Sequence, residues 1–283
     1  MAQARRAAAR REREPRPPRG RSDLLARVLV AVPAAFVAIV FVDLGGLAFA
    51  LFMIAAGIAC LHELFGLLGR WRPVTLVGFA SLAAMVLVAR YSGQRAVLEV
   101  LVATLPVVFL AVAARGGRGR PTVAIASTML GVVWIGLAFA HAVLLRDLHH
   151  GGAVMIDVLV GTFLGDTGAY LGGRLVGSRP LAPQISPNKT VEGLICGMLV
   201  AILSVFLAGL YQDWLTQGDA LLLGLTVAIL GPLGDLFEST IKRDADRKDA
   251  GTLFGPHGGA LDRLDAVIFT VTASYYVWAA VLH

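Results

Sequence analysis

Mainly apolar runs at roughly 24–42, 46–68, 74–89, 96–114, 122–145, 153–173, 191–211, 219–238 and 264–282 leave this chain little freedom of fold. Each reaches or approaches the roughly 20 residues that a helix needs to cross a hydrocarbon core. The composition agrees, with 57% hydrophobic residues, 16% charged and a mean hydropathy of +0.74, outside the range of a soluble domain. The expected fold class is all-α, a polytopic integral membrane protein with about nine transmembrane helices.

The first 21 residues hold eight Arg among small residues and prolines. Such a segment cannot bury enough apolar surface to fold, so 1–23 reads as a disordered basic tail. The run that follows lacks a small-residue cleavage site and reads as a retained first span rather than a removed signal. Placing the N-terminus in the cytoplasm puts 22 of the 25 Lys and Arg on that side and leaves only Arg90, Arg95 and Arg146 outside. The net charge of +6 comes mainly from the tail and points to anionic lipid headgroups. No nucleic-acid-binding motif is present. Cys60 and Cys196 lie inside predicted spans without partner spacing and read as packing residues, with no disulfide or zinc site.

The character of the chain changes near Gly151. Residues 24–150 hold five spans with short loops and read as a transmembrane scaffold. Residues 151–283 carry spans six to nine and the polar stretches GTFLGDTGAYLGGRLVG, SPNKTVEG, GPLGDLFEST and STIKRDADRKDAGTLFGPHGGALDRLD, so chemistry is expected there, on the cytoplasmic side.

An aspartate inside a span normally faces protein or water and has a partner. Asp235 is one, and in a regular helix it shares a face with Glu238, Ser239 and Lys242. The bland alternative is a helix end turning polar, with Asp235 paired to Lys242. Asp262 and Asp265, three apart at the start of span nine, either cap that helix or belong to a site. Spans eight and nine are joined by one loop, so Asp262 and Asp235 can meet, and two carboxylates approaching from separate helices call for a cation. Hard oxygen ligands beside phosphate suit Mg²⁺. Lys242, Arg243, Arg247, Lys248 and Arg263 could neutralise a polyphosphate. His257-Gly258-Gly259 would let backbone N–H groups approach an anion. Lys189, with Ser186, Asn188 and Thr190, makes either a phosphate seat at a helix N-terminus or a proline turn with a cap. Asp166, and with less support Glu63, either join this polar centre or bond to a neighbour. His62, His141, Glu99 and Asp157 read as structural.

The stretch from Ser239 to Asp265 resembles the signature of the phosphatidate cytidylyltransferase (CDP-diacylglycerol synthase) family, and SPNKTVEG, GDTGAY and GPLGDLFES are similar to further family segments. The likeness is close over roughly 155–283. It implies transfer of the cytidylyl group of CTP to phosphatidate, yielding CDP-diacylglycerol and pyrophosphate. It also implies Mg²⁺ held by Asp235 and Asp262 with Asp265 close by, leaving a second cation open, and catalytic roles for Lys242 and Arg243. Substrate contacts are then expected from Lys248, Asp249, Arg263 and the residues named above. A homodimer in the plasma membrane of a bacterium, its site facing the cytoplasm, is implied as well. Two departures stand out: Ala260 replaces a usually larger apolar residue, and the Arg-rich tail is not part of the pattern. The competing readings are a CTP-dependent lipid or polyprenol kinase and an ion or phosphate transporter. A transporter would spread polar groups through the bilayer depth, whereas here they collect at one face.

Overall fold

A computed structural model describes residues 33, 35–116, 119–251 and 258–282. The tail, much of the first predicted span, and His257 lie outside the described residues. The chain divides between Ala38 and Ile39, and the contacts described below all lie within Ile39–His283.

Among the described residues a short helix, α1 (Ala35–Leu44), precedes seven helices long and apolar enough to cross a membrane: α2 (Gly46–Leu67), α3 (Thr75–Ala114), α4 (Pro121–Asp147), α5 (Gly151–Val176), α6 (Val191–Gly209), α7 (Gln217–Asp244) and α8 (Leu261–Val281). The protein is therefore an all-α, multi-pass membrane protein. Helices dominate because lipid offers the backbone no hydrogen-bond partners, and a helix satisfies its own.

α3 consists of two helical arms. Its backbone leaves the helical region at Gly93, with φ 79° and ψ −172°, a conformation glycine adopts without steric cost. On a straight helix Ser81 and Thr104 would lie about 35 Å apart at 1.5 Å per residue. Instead Thr104 Oγ1 donates to Ser81 Oγ at 2.9 Å, so the arms fold back on each other and reproduce the runs predicted at 74–89 and 96–114. α4 carries a single wide turn at Val132–Gly136.

Polar contacts collect at two opposite ends. At one, Arg70 meets Asp244 at 3.7 Å and Arg243 Nε donates to the Ile185 carbonyl at 3.0 Å. At the other, Arg90 meets Asp147 at 3.5 Å, Gln94 donates to Tyr276 at 3.1 Å and Trp278 to the His149 carbonyl at 2.8 Å. His141 is held there by the Leu137 carbonyl and Tyr276, and Asp157 by Gln212, which accounts for both as structural groups.

Small residues bring the helices of the second half together. A Cβ on Gly172 would lie 2.4 Å from Cys196 Cβ, and one on Gly197 2.7 Å from Ala169 Cβ, so α5 and α6 approach backbone to backbone. Cys196 thus packs against a glycine, and Cys60 is fully buried. Gly234 has the same role between α7 and α8: its absent Cβ would sit 2.5 Å from the Asp265 carbonyl oxygen. That contact lies beside Asp235 and sets the separation of the two helices that carry the acidic groups.

Candidate active site

α7 does not end where its apolar run ends. It continues to Asp244, so Glu238 and Lys242 sit on a helical turn rather than in a loop. The expected shared face is present, with Ser239 Oγ donating to Asp235 Oδ1 at 3.3 Å and the Lys242 ammonium to Glu238 four residues back. Glu238 is completely buried. Such a carboxylate persists in an apolar bundle only when charge and hydrogen bonding compensate it. Lys242 supplies that compensation and reaches on to Asp262 Oδ1 at 2.8 Å, joining α7 to the first turn of α8.

Asp235 pairs with Lys189, not with Lys242 as the bland alternative had it. Lys189 stands on a small antiparallel hairpin, β1 (Pro180–Ala182) with β2 (Ser186–Thr190), inserted between α5 and α6. Two devices hold the hairpin in place. Arg243 donates to its turn, and Glu192, in the first turn of α6, accepts the backbone N–H groups of Ser178 and Arg179 at 3.0 and 3.1 Å. Thr190 is the N-cap of α6, its hydroxyl accepting the Gly193 N–H at 3.1 Å. Ser186 is half-buried and Asn188 exposed on the same strand.

Asp166, on α5, feels the charges of Asp235 and Lys189, and opens onto a groove lined by Gly161, Gly165, Gly197, Gly231 and Pro232. Asp265 is buried, its Oδ1 accepting the Ala266 N–H at 2.8 Å, within electrostatic reach of Asp235, Glu238 and Asp166. Five acidic groups from three helices, Asp262 among them, thus face two lysines at one end of the bundle. Lys248, Asp249 and Arg263 are exposed around them.

Asp262 also organises the intervening loop. It accepts the Ala250 N–H at 3.0 Å and the Gly259 N–H at 2.8 Å, charge-assisted bonds that tie the loop's two ends to one carboxylate. The Gly259 N–H, expected to face a substrate anion, therefore already has an anion of the protein as partner. Gly258 adopts φ +89°, and a Cβ there would lie 3.0 Å from Asp262 Oδ2. Glu63, from α2, lies under the same loop and accepts the Leu261 N–H at 2.9 Å. Its membership of the polar centre had only weak sequence support, a single acid in an otherwise apolar helix.

The donor set is oxygen throughout, which fits Mg²⁺ rather than a soft metal. Among the described residues no three His, Cys, Asp or Glu side chains converge as ligands, and the carboxylates carry lysine ammonium groups instead. Two cationic positions against oxygen donors are thus built into the site.

A site of paired lysines and carboxylates at one end of a helical bundle suits a membrane enzyme handling phosphate groups, and comparison with known proteins agrees. Residues 25–281 match the model of the cytidylyltransferase family, so the chain belongs to that family. Its relatives include the phosphatidate cytidylyltransferase of Bacillus subtilis, 32% identical over 276 residues that cover 91% of this chain and 98% of the relative. The phosphatidate cytidylyltransferases of Staphylococcus haemolyticus and Haemophilus influenzae are 39% and 35% identical. Those two matches span 50% and 48% of this chain and 55% and 49% of the relatives.

Proposed function

We propose that the protein transfers the cytidylyl group of CTP to phosphatidate, forming CDP-diacylglycerol and pyrophosphate. The observation that carries this is the meeting of Lys189 and Lys242 with Asp166, Asp235, Glu238, Asp262 and Asp265 at one end of the bundle, in a chain of this family. In the reaction a phosphate oxygen of the lipid forms a bond to the α-phosphorus of CTP. The bond from that phosphorus to the oxygen bridging the β-phosphorus breaks, and pyrophosphate leaves. A phosphate monoester is already largely ionised near neutral pH, so no residue is assigned as general base.

Lys189 and Lys242 are the cations available to the phosphates, and Asp235 and Asp262 are the groups that would hold Mg²⁺. When bound, the ion supplies neutralisation of charge on the transferring and leaving phosphates. Glu238 keeps Lys242 charged and fixed, so little reorganisation is needed as charge develops. Asp166, beside Lys189 and facing the glycine-lined groove, marks where a lipid phosphate would enter from the bilayer side.

CTP labelled at the α-phosphorus should pass its label to the lipid when phosphatidate and Mg²⁺ are supplied, and γ-label should appear in pyrophosphate. In-line attack needs about 3–3.5 Å between the reacting atoms, so a pose serving the α-phosphorus cannot also serve the γ. Lipid labelled from γ-labelled CTP alone would make the protein a kinase.

The proposal includes nine crossings, a cytoplasmic N-terminus, a homodimer and the plasma membrane. Its topological support is the segregation of Arg70, Lys189, Lys242 and Arg243 at the site's end, as the excess of cytoplasmic Lys and Arg requires. A cysteine at exposed Asp249, in a background lacking Cys60 and Cys196, should resist an impermeant thiol reagent on intact cells and react after permeabilisation. Labelling from outside would invert the orientation.

A further inference from the structure

Glu63 stands in the half of the chain that sequence reading assigns to scaffold, and cytidylyl chemistry gives it no role. It is 8% exposed, on α2, and only one of its oxygens is used: Oε2 accepts the Leu261 N–H at 2.9 Å, while Oε1 is buried with no hydrogen-bond partner among the described residues. Packing alone would favour an apolar side chain here, because a buried acceptor left unmade is costly.

The two glycines of the loop explain what the carboxylate is for. A Cβ at Gly251 would lie 2.3 Å from Glu63 Oε1, and a Cβ at Gly259 would lie 2.2 Å from Oε2. A side chain at either position would push the Glu63 carboxylate aside, because the chain is pressed against this one group where the loop leaves and where it returns. Asp262 grips the same two places through the N–H groups of Ala250 and Gly259. The loop is thus closed at its neck by two carboxylates, Glu63 from α2 and Asp262 from α8.

We infer that Glu63 is a positioning residue for the cytidylyl transfer proposed above: it holds the neck of the loop so that Asp262 and Lys242 keep their orientation at the reacting phosphates. Asp262 bonds the loop and Lys242 at once, so a neck held by Asp262 alone would move whenever the lysine or a substrate pulled on it. Glu63 fixes the neck from a separate helix. It does not touch substrate in this scheme, and its effect reaches the chemistry through the geometry of Asp262.

The test combines amide hydrogen exchange of the full-length protein in detergent with steady-state kinetics. Glu63→Ala should raise exchange selectively at 250, 251 and 258–261 while α5 and α6 keep their protection, and kcat should fall by about tenfold to a hundredfold, the scale of a 1 Å misplacement. KM for CTP should change far less than kcat. Glu63→Gln retains an acceptor for the Leu261 N–H and should restore both loop protection and most of kcat. If the alanine variant does not fold, Glu63→Asp, which withdraws the carboxylate by one methylene, should show the same loosening and the same loss of kcat.

Unchanged exchange at 250, 251 and 258–261 in the alanine or aspartate variant would overturn the inference. So would loss of protection spread evenly over all helices, which would make Glu63 a general stability group, or loosening of the loop without loss of kcat. The exchange readout needs no substrate. A protein inactive with CTP and phosphatidate but showing the selective loosening would refute the proposed reaction and leave the loop clasp standing.

Discussion

Asp262→Asn should lower cytidylyl transfer by at least about a hundredfold, the scale seen when a preorganised electrostatic group at a transferring centre is lost. The substitution keeps shape and removes both charge and acceptor capacity. Asp262 takes the Lys242 ammonium on one side and the Ala250 and Gly259 N–H groups on the other. An asparagine offers a single acceptor oxygen, so its NH₂ group must face either the ammonium or the loop amides, donor against donor. Asp235→Asn should cause a loss of similar size for a different reason. Lys189 loses its partner while the loop neck, bonded to Asp262 and Glu63, stays closed. Exchange at Ala250 and Gly259 separates the two, rising in Asp262→Asn and unchanged in Asp235→Asn. Near-normal turnover with unaltered Mg²⁺ dependence in both variants would remove these aspartates from the centre.

Lys242→Met should be the most destabilising single change in the site. Its first consequence falls on Glu238, which is completely buried beside the Asp262 carboxyl and would be left as an uncompensated charge. Breaking a buried pair in this way costs about 3–5 kcal/mol. Asp262 suffers less because the loop amides still bond to it. The double variant Lys242→Met with Glu238→Gln should therefore recover most of the thermal stability in detergent. It should recover none of the turnover, because the cation facing the phosphates is still missing. A single variant as stable as the parent, or a double variant that regains activity, would show that Lys242 is not the hub drawn here.

Much of the site was legible from local pattern. Asp235, Glu238, Ser239 and Lys242 share a face because helical spacing places them so, and Asp262 and Asp265 share one for the same reason. For Thr190 the sequence left a phosphate seat and a helix cap side by side, and the residue does cap α6. Pairing was not legible. Asp235 takes Lys189 from a hairpin between α5 and α6, and Lys242 takes Asp262 across the helix junction, although a lysine seven residues along the same helix was the obvious local partner for Asp235. The two arms of α3 were legible as separate runs, because Gly93 breaks the helix between them.

The sequence by itself determined the helical class, the positions of most spans, the end of the bundle where charge collects, and the stretches that mark the family. These are local properties: in a bilayer each segment must satisfy its own backbone, so apolar length and helical periodicity translate directly into structure. Only the tertiary structure decided what the glycines face and which carboxylates share a cation. Gly251 and Gly259 look alike whether the space beside them holds a substrate phosphate or a side chain, and that space is filled by Glu63, 198 residues from the Leu261 N–H it accepts. No periodicity carries such a contact. It depends on which helices stand next to α8, and that is set by small-residue packing summed over the whole bundle.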